Sequence, residues 1–303
     1  MEDNLKYICP DTDCNGEPFI LYKSKEKQTK NINFNCTTDT YFKPDILKCK
    51  KCKITYSDLI YNFKENELDK MYNDVIDEKY ISQIKFKDKY FRNLKKKINL
   101  HLDENKEILE IGSYYGVFGN ILKPTVKSYT GLELSKHGVE YSKNKFNLQI
   151  YNETLEQHET RNIKYDVVIM ADVIEHFSNP FKMISIVRKL LKKNGIFIAT
   201  TFNIDSFYSK IRGYKYHWII PFHLFFFSNT TMKNIGNKNN LDLFKIKNDP
   251  RYVSFGYLLE KLKFIFPRFK IFFNFLIKLK FLNNLPIKVN LGDLNIYFFK
   301  ATN

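Results

Sequence analysis

The sequence predicts an α/β protein, a doubly wound and mostly parallel sheet preceded by a small cysteine-bearing segment. Three observations carry this expectation. The apolar run Glu107–Ile111 breaks at Gly112-Ser-Tyr-Tyr-Gly116 and resumes as a helix over Val117–Leu122, stopped by Pro124. Strand-like and helix-like stretches then alternate as far as residue 200. Two closely spaced cysteine pairs stand ahead of them. A strand, a glycine turn and a helix are how a doubly wound fold begins, and they place a ligand at the carboxyl end of the strand.

The bulk properties narrow the classes further. With 303 residues there is room for one sizeable α/β domain and an appendage. A hydrophobic content of 44% with 16% aromatic residues excludes a disordered chain. The formal charge of +16 suggests nucleic acid, yet six Arg stand against 43 Lys, with only three Ala. That skew fits an AT-rich coding bias and a solvated lysine surface, whereas phosphate-reading surfaces favour the forked guanidinium of Arg. Nucleic acid is therefore not the expected partner. Met1-Glu-Asp-Asn is acidic and polar, unlike a signal peptide, and five cysteines without one fit reduced thiols in a cytoplasmic setting.

Cys9 and Cys14 form a C-x4-C pair, and Cys49 and Cys52 a C-x2-C pair. Thiolates at such spacing converge on a tetrahedral zinc ion, and four of them leave no open position for chemistry, so the expected role is structural. Lys48, Lys50, Lys51 and Lys53 surround the second pair and favour thiolates. Residues 15–48 read as a hairpin with a loose tip, which holds the partnerless Cys36. From Glu65 to Leu100, spaced Tyr, Ile, Phe and Leu in a polar background predict one or two helices.

In the main domain, Ser128–Leu132 is a second strand ending in Glu133, 23 residues beyond Glu110. A carboxylate there accepts the hydroxyl protons of a ribose. A third strand near Asn147–Tyr151 leads into Thr154-Leu-Glu156, and a fourth runs from Tyr165 to Met170. A helix over Asn179–Leu191 stops at Lys192-Lys-Asn-Gly195, a basic end followed by glycine. Gly195–Thr200 is a fifth strand, Phe225–Phe227 reads as core ahead of the helix cap Ser228, and Leu294–Phe299 returns into the sheet.

These residues resemble the class I S-adenosylmethionine-dependent methyltransferases, in particular a bacterial branch with an N-terminal zinc knuckle. The resemblance rests on Glu110-Ile-Gly112-Ser-Tyr114-Tyr-Gly116, on Asp172-Val-Ile-Glu-His176 and on Leu190-Leu-Lys-Lys-Asn-Gly195. It continues through Pro221-Phe-His-Leu-Phe-Phe-Phe-Ser228, Arg251-Tyr-Val-Ser-Phe-Gly-Tyr-Leu-Leu259 and Asn290-Leu-Gly-Asp-Leu294, and so covers nearly the whole chain. It implies a Rossmann-like seven-stranded sheet with a zinc-ribbon-like segment at 1–64, a helical linker at 65–104 and a methyltransferase domain at 105–303. Within that domain, 201–227 and 250–290 become the acceptor-side lid and helical cap. S-adenosylmethionine is implied at Glu110, Gly112, Ser113, Gly116, Glu133, Thr154, Leu155 and Ala171, and structural zinc at Cys9, Cys14, Cys49 and Cys52. Tyr114 departs from the pattern, replacing a glycine. Its ring either narrows the pocket or swings outward while the backbone still fits.

Methyl transfer needs an aligned acceptor and, for a hydroxyl, a base. His223, His176 and Glu175 are the candidates, with His217 and Trp218 as acceptor-pocket neighbours. His176 has the alternative of bonding a backbone group, and His223 that of pinning the lid. Asp172, Glu175 and His176 also resemble an acidic-His cluster that holds a divalent metal in some relatives. The resemblance implies O-methylation of a sugar or other small hydroxylated acceptor in surface-glycan synthesis. RNA methylation and a non-catalytic binding protein are the alternatives, and the oligomeric state is left open. In residues 257–282, Pro267 and interspersed cations exclude a comfortable transmembrane helix. That stretch reads as a cap over the acceptor pocket, as a peripheral contact with the inner membrane face, or as both.

Overall fold

A parallel strand must bury both faces, and alternation along the strands assigns its residues to two cores. The computed structural model describes residues 7–24, 42–62 and 67–302. Cys36 and the hairpin tip lie outside them. The chain begins with an antiparallel ribbon, β1 (Pro18–Tyr22) against β2 (Ile46–Cys49) and β2 against β3 (Thr55–Ser57). Residues 65–104 carry three α-helices rather than one or two: α1 (Glu67–Asn73), α2 (Glu78–Ser82) and α3 (Ile84–Ile98). In α3, Phe86, Tyr90, Leu94 and Ile98 recur every fourth residue, so one face is apolar and buried.

The central layer follows as β4 (Glu107–Ile111), α4 (Val117–Leu122), β5 (Ser128–Leu132), α5 (Lys136–Phe146), β6 (Ile150–Tyr151), α6 (Leu155–Glu159), β7 (Tyr165–Ala171), α7 (Pro180–Leu190) and β8 (Leu191–Phe202). Next come α8 (Phe207–Arg212), β9 (Phe225–Phe226), α9 (Asn229–Lys238), β10 (Leu241–Asn248) and β11 (Arg251–Ser254). The chain ends with α10 (Phe255–Ile265), α11 (Lys270–Lys278), α12 (Lys280–Asn283), β12 (Pro286–Val289) and β13 (Leu294–Ala301). The seven-stranded sheet has the order β10-β13-β8-β7-β4-β5-β6, with β13 antiparallel to both neighbours and the strands from β8 to β6 parallel. Successive strands run outward from β4 through β5 to β6, then resume on its other side with β7 and β8. The reversal lies between β4 and β7, which opens the crevice there.

Along β7, Val167 and Ile169 enter one core with Leu94, Ile108, Phe118 and Phe298, while Val168 and Met170 enter the other with Leu109, Phe197, Tyr297 and Phe299. The second core also takes in Leu47, Cys49, Tyr56 and Phe225, which joins the N-terminal ribbon to the sheet. No local pattern announced β9, whose Phe226 and Phe225 pair antiparallel with Thr55 and Tyr56 of β3. Ser228 does cap α9, in a reciprocal capping box with Thr231.

Two boundaries differ from the sequence expectation. Asn147, at φ 50°, ends α5 in the left-handed region, so the third strand shrinks to Ile150–Tyr151. Lys192–Gly195 is no free-standing helix stop, because β8 begins at Leu191 and bulges. Tyr165 pairs with Leu191 but Val167 with Ile196, and Asn194 rather than Gly195 takes the positive φ, at 58°. Among the described residues no helix is long and apolar enough to cross a membrane.

Leu94 is fully buried between α3 and the sheet. Leu94→Ala should lower the unfolding free energy by about 2–5 kcal/mol, measured by urea denaturation.

Candidate functional site

The turn after β4 stands at the sheet's reversal point. Gly112 (φ 71°) and Gly116 (φ 70°) occupy the left-handed region, and neither has room for a side chain. A Cβ on Gly112 would lie 2.5 Å from the Val173 side chain, and one on Gly116 would lie 2.7 Å from the Ser142 hydroxyl. Tyr114 also has positive φ, at 46°. It therefore adopts a backbone conformation that glycine takes freely, at a cost of about 1–2 kcal/mol. Its N–H donates to Glu133 (2.7 Å) and its carbonyl accepts from the Ser142 hydroxyl (3.2 Å). The ring packs edge-to-face on Tyr80 and Tyr115, at 4.6 and 4.5 Å between centroids, so it is drawn towards α2.

Glu133 is buried at the end of β5. One carboxylate oxygen accepts the Tyr114 N–H and the other the Ser135 N–H, both at 2.7 Å. Burial raises its pKa despite those bonds. Glu110 is buried deeper, where the Tyr129 hydroxyl donates to it at 2.5 Å. Burial, reinforced by the charge of Glu133, pushes the Glu110 pKa up to about 8. Ser113 is buried beside it in the turn. Thr154 caps α6 in a capping box with Gln157, and Leu155 enters the core. Ala171 ends β7 opposite Thr200. The sequence reading missed Asn152, whose amide donates to the Glu133 and Leu134 carbonyls at 2.9 and 2.7 Å and ties the ends of β5 and β6 together.

The other side of the crevice is built from the loop after β7 and the segment before β9. Asp172 (φ 59°) accepts from the Thr200 hydroxyl (2.9 Å) and from Arg251 (2.6 Å). Arg251 lies 3.4 Å from Asp249 and over the Tyr90 ring at 4.2 Å, and Tyr90 donates to Asp249 at 2.9 Å. Asp172 is thus committed to a structural ion network and stands apart from the acid-His group. That group is Glu175, His176 and His223, whose ligand atoms all lie within 4.8 Å of one another.

His176 Nδ1 is 3.0 Å from the Phe222 carbonyl and 3.2 Å from the Tyr72 hydroxyl, and His223 Nδ1 is 2.8 Å from the Trp218 carbonyl. A carbonyl only accepts, so both Nδ1 atoms carry the proton and each Nε2 holds a lone pair. Burial holds His176 neutral down to about pH 4, and burial with the adjacent His176 also holds His223 well below the ordinary imidazole range. The two rings meet at 4.9 Å, nearly edge-on. Glu175 Oε2 and Trp218 Nε1 are buried and have no hydrogen-bond partner among the described residues. Burial, followed by the charge of Asp172, pushes Glu175 up to about 8. Trp218 stacks on Phe202 at 6.0 Å and touches exposed His217 at 4.7 Å.

The four cysteines from the two pairs are free thiols, and their sulfurs lie within 4.8 Å of one another. Cys9 and Cys52 approach to 3.5 Å, Cys14 and Cys49 to 3.7 Å. Sulfurs about 2.3 Å from a tetrahedral zinc lie about 3.8 Å apart, so this donor set fits that ion. Gly16 abuts the group, since a Cβ there would sit 2.6 Å from the Cys49 sulfur. Burial alone would raise the Cys49 thiol, but the N–H groups of Cys52 and Lys51 bring it down to about 7. Backbone dipoles do this rather than all the nearby lysines, because Lys50 pairs with Glu17 (3.2 Å) and Lys48 lies 3.9 Å from Asp205.

A parallel sheet reversing at β4/β7, with a glycine turn and a buried carboxylate at that edge, is a nucleotide-cofactor site, and the family match makes it that of an S-adenosylmethionine-dependent methyltransferase. Residues 84–246 match the family described as methyltransferase domain, and the chain belongs to it. It is 29% identical over 155 residues to the ubiquinone biosynthesis O-methyltransferase of Pelagibacter ubique, covering 47% of this chain and 64% of that one. The match thus spans just under two thirds of that relative's length. A methyltransferase structure from Archaeoglobus fulgidus superposes with a TM-score of 0.51 at 16% identity, covering 74% of this chain and all of that one. The magnesium protoporphyrin IX methyltransferase of Synechocystis, with S-adenosylhomocysteine bound, gives 0.47 at 12% identity over 71% and 83% of the two chains.

Glu110 generates a pH prediction. Its folded pKa of about 8 lies above the ordinary 4.5, so the fold binds the extra proton between those values. The associated stability is complete below about pH 4.5 and is lost as pH rises through about 8. Glu110→Gln should remove that loss, flattening the melting temperature against pH over this window.

Proposed function

We infer that this methyltransferase transfers its methyl group to a hydroxyl of a sugar or other small polar acceptor, in surface-glycan synthesis on the cytoplasmic side of the membrane. The observation that carries the reading is His223, buried with Nδ1 pinned by a backbone carbonyl and its Nε2 lone pair free to take a hydroxyl proton. Around it stand a flat aromatic wall of Trp218 and Phe202 and two buried polar atoms without partners, Glu175 Oε2 and Trp218 Nε1. An apolar ring face suits the C–H face of a sugar, and unpartnered buried polar atoms suit its hydroxyls. His176 and Glu175 complete the proposed catalytic group. S-adenosylmethionine supplies the electrophilic methyl. Glu133 is the proposed ribose ligand, Gly112, Ser113, Gly116 and Ala171 line the cofactor, Thr154 and Leu155 flank it, and Glu110 supports the turn from beneath. Cys9, Cys14, Cys49 and Cys52 hold structural zinc in the 1–64 segment.

A second reading is favoured by the convergence of Glu175, His176 and His223. A carboxylate with two imidazoles, each fixed through its other nitrogen, is also a divalent-cation donor set. In that case the cation would lower the acceptor hydroxyl's pKa, and His223 would be its ligand rather than the base that takes the proton.

Calorimetry with S-adenosylhomocysteine, followed by methyl transfer to a panel of sugar acceptors, tests both readings. Glu133→Ala should weaken cofactor binding by roughly 100-fold or more, through loss of the charged hydrogen bonds to ribose. His223→Ala should leave that affinity unchanged and lower kcat by about 10²–10⁴-fold. Activity that persists in His223→Ala would overturn the base assignment. Loss of activity in EDTA, restored by magnesium or manganese with zinc retained, would select the cation reading. Released-metal assay should find one zinc per chain, absent in Cys49→Ser. Because β3 pairs with β9, stripping zinc should lower kcat as well as the melting temperature.

A further inference from the structure

The outer face of α11 inverts the usual order of a surface helix. A surface helix turns its apolar stripe inward. In α11, Ile271 (86% exposed), Phe272 and Phe275 point outward, and none of its nine residues is fully buried. The turns around it continue the patch through Phe266, Phe269 and Phe281, each at least half exposed. Such an aromatic cluster exceeds the scattered exposed side chains normal on a monomer.

Charge selects the occupant. Residues 255–289 hold six Lys and one Arg against a single Glu, and Glu260 is already paired with Lys263 at 2.7 Å. Arg268, Lys270 and Lys278 bracket the apolar face, and no ion pair engages them among the described residues. At nine residues α11 is about 13 Å long, far too short to span a bilayer but long enough to lie in its interface.

We propose that α11 and its flanking turns seat this protein on an anionic membrane surface, with Phe272 and Phe275 in the acyl boundary and Arg268, Lys270 and Lys278 among the headgroups. Apolar burial supplies the hold and the cations supply lipid selectivity.

Co-sedimentation of the full chain with vesicles tests this. Wild type should partition at least tenfold more onto phosphatidylcholine–phosphatidylglycerol vesicles than onto phosphatidylcholine alone, and added salt should weaken the binding. Phe272→Glu/Phe275→Glu should lose at least tenfold, and so should Lys270→Glu/Lys278→Glu. Leu100→Glu, an exposed apolar site on another element, should retain binding. Circular dichroism checks the fold, and the lysine pair carries the test if the phenylalanine pair misfolds. Equal binding to both vesicle types, or none to either, overturns the proposal. So does a wild-type dimer in sedimentation velocity that the phenylalanine variant converts to monomer without any vesicle binding, which would make the face self-associating.

Discussion

A short relay of backbone hydrogen bonds sets the register of the His223 segment between the cysteine ribbon and the loop after β7. The Ser57 N–H donates to the Leu224 carbonyl at 2.8 Å, and the Leu224 N–H donates to the Glu175 carbonyl at 2.9 Å. The cysteine ribbon, the His223 segment and the loop after β7 are therefore one hydrogen-bonded unit. Beside it, β3 pairs with β9 and buries Tyr56 against Phe225, with ring centroids 6.3 Å apart. Backbone pairing tolerates little slippage, because a shift of one residue would turn every side chain to the opposite face. His223 is thus positioned from a ribbon more than 160 residues away in sequence, which gives the cysteine cluster a role in the site without any chemistry of its own.

Carboxylates crowd the same edge of the sheet, and their partners sort them into different roles. Asp172 and Asp249 share Arg251, and Asp249 also has Lys97 at 3.4 Å, so their charges are compensated where desolvation would otherwise be costly. Glu133 has no cation among the described residues, but two backbone N–H groups face its oxygens and leave further lone pairs for a ligand. Glu110 has one hydroxyl partner and Glu175 has a bare oxygen, and both are pushed to about 8. Burial is the first cause in both, reinforced by a neighbouring carboxylate, Glu133 for Glu110 and Asp172 for Glu175. Arg251 therefore does more than stabilise: by engaging Asp172 it leaves Glu175 as the carboxylate free to face the two imidazoles.

How much of this was legible in the sequence depends on how local each signal is. The strands from β4 to β8 could be read because buried parallel strands are apolar runs between turn residues, and the cysteine quartet because two tight spacings imply convergence. The place of Glu133 at the end of β5 could be read from the strand that precedes it. The pairing of β3 with β9 could not be read, since a two-residue strand has no periodicity and its partner is remote. Arg251 stood in a recognisable block, but its engagement with Asp172, 79 positions away, is a tertiary fact. The tautomers of His176 and His223 depend on carbonyls that only the fold delivers. At the end of α7, composition suggested a glycine stop, yet asparagine adopts the left-handed conformation readily enough to take that place.

Backbone strain gives an independent indication of where this molecule is under functional demand. Among the described residues, seven non-glycine positions have positive φ. Four are asparagines, Asn147, Asn162, Asn194 and Asn240, at turns or the edges of elements, where the short amide eases the conformation. The remaining three are Asp172, whose short side chain eases the conformation as asparagine's does, and Lys53 and Tyr114, for which it carries a larger penalty. Lys53 follows the last cysteine and donates its N–H to Cys49. Tyr114 lies in the glycine turn, and Asp172 just past the end of β7. Each persists because its surroundings over-determine it: a knuckle bond, a carboxylate with two aromatic rings, and an arginine with a threonine. Strain of this kind collects where geometry matters more than local comfort. Here it marks the cysteine cluster and the glycine turn, two of the places that the side-chain chemistry selects on separate grounds, while Asp172 belongs to the Arg251 network beside the acid-His group.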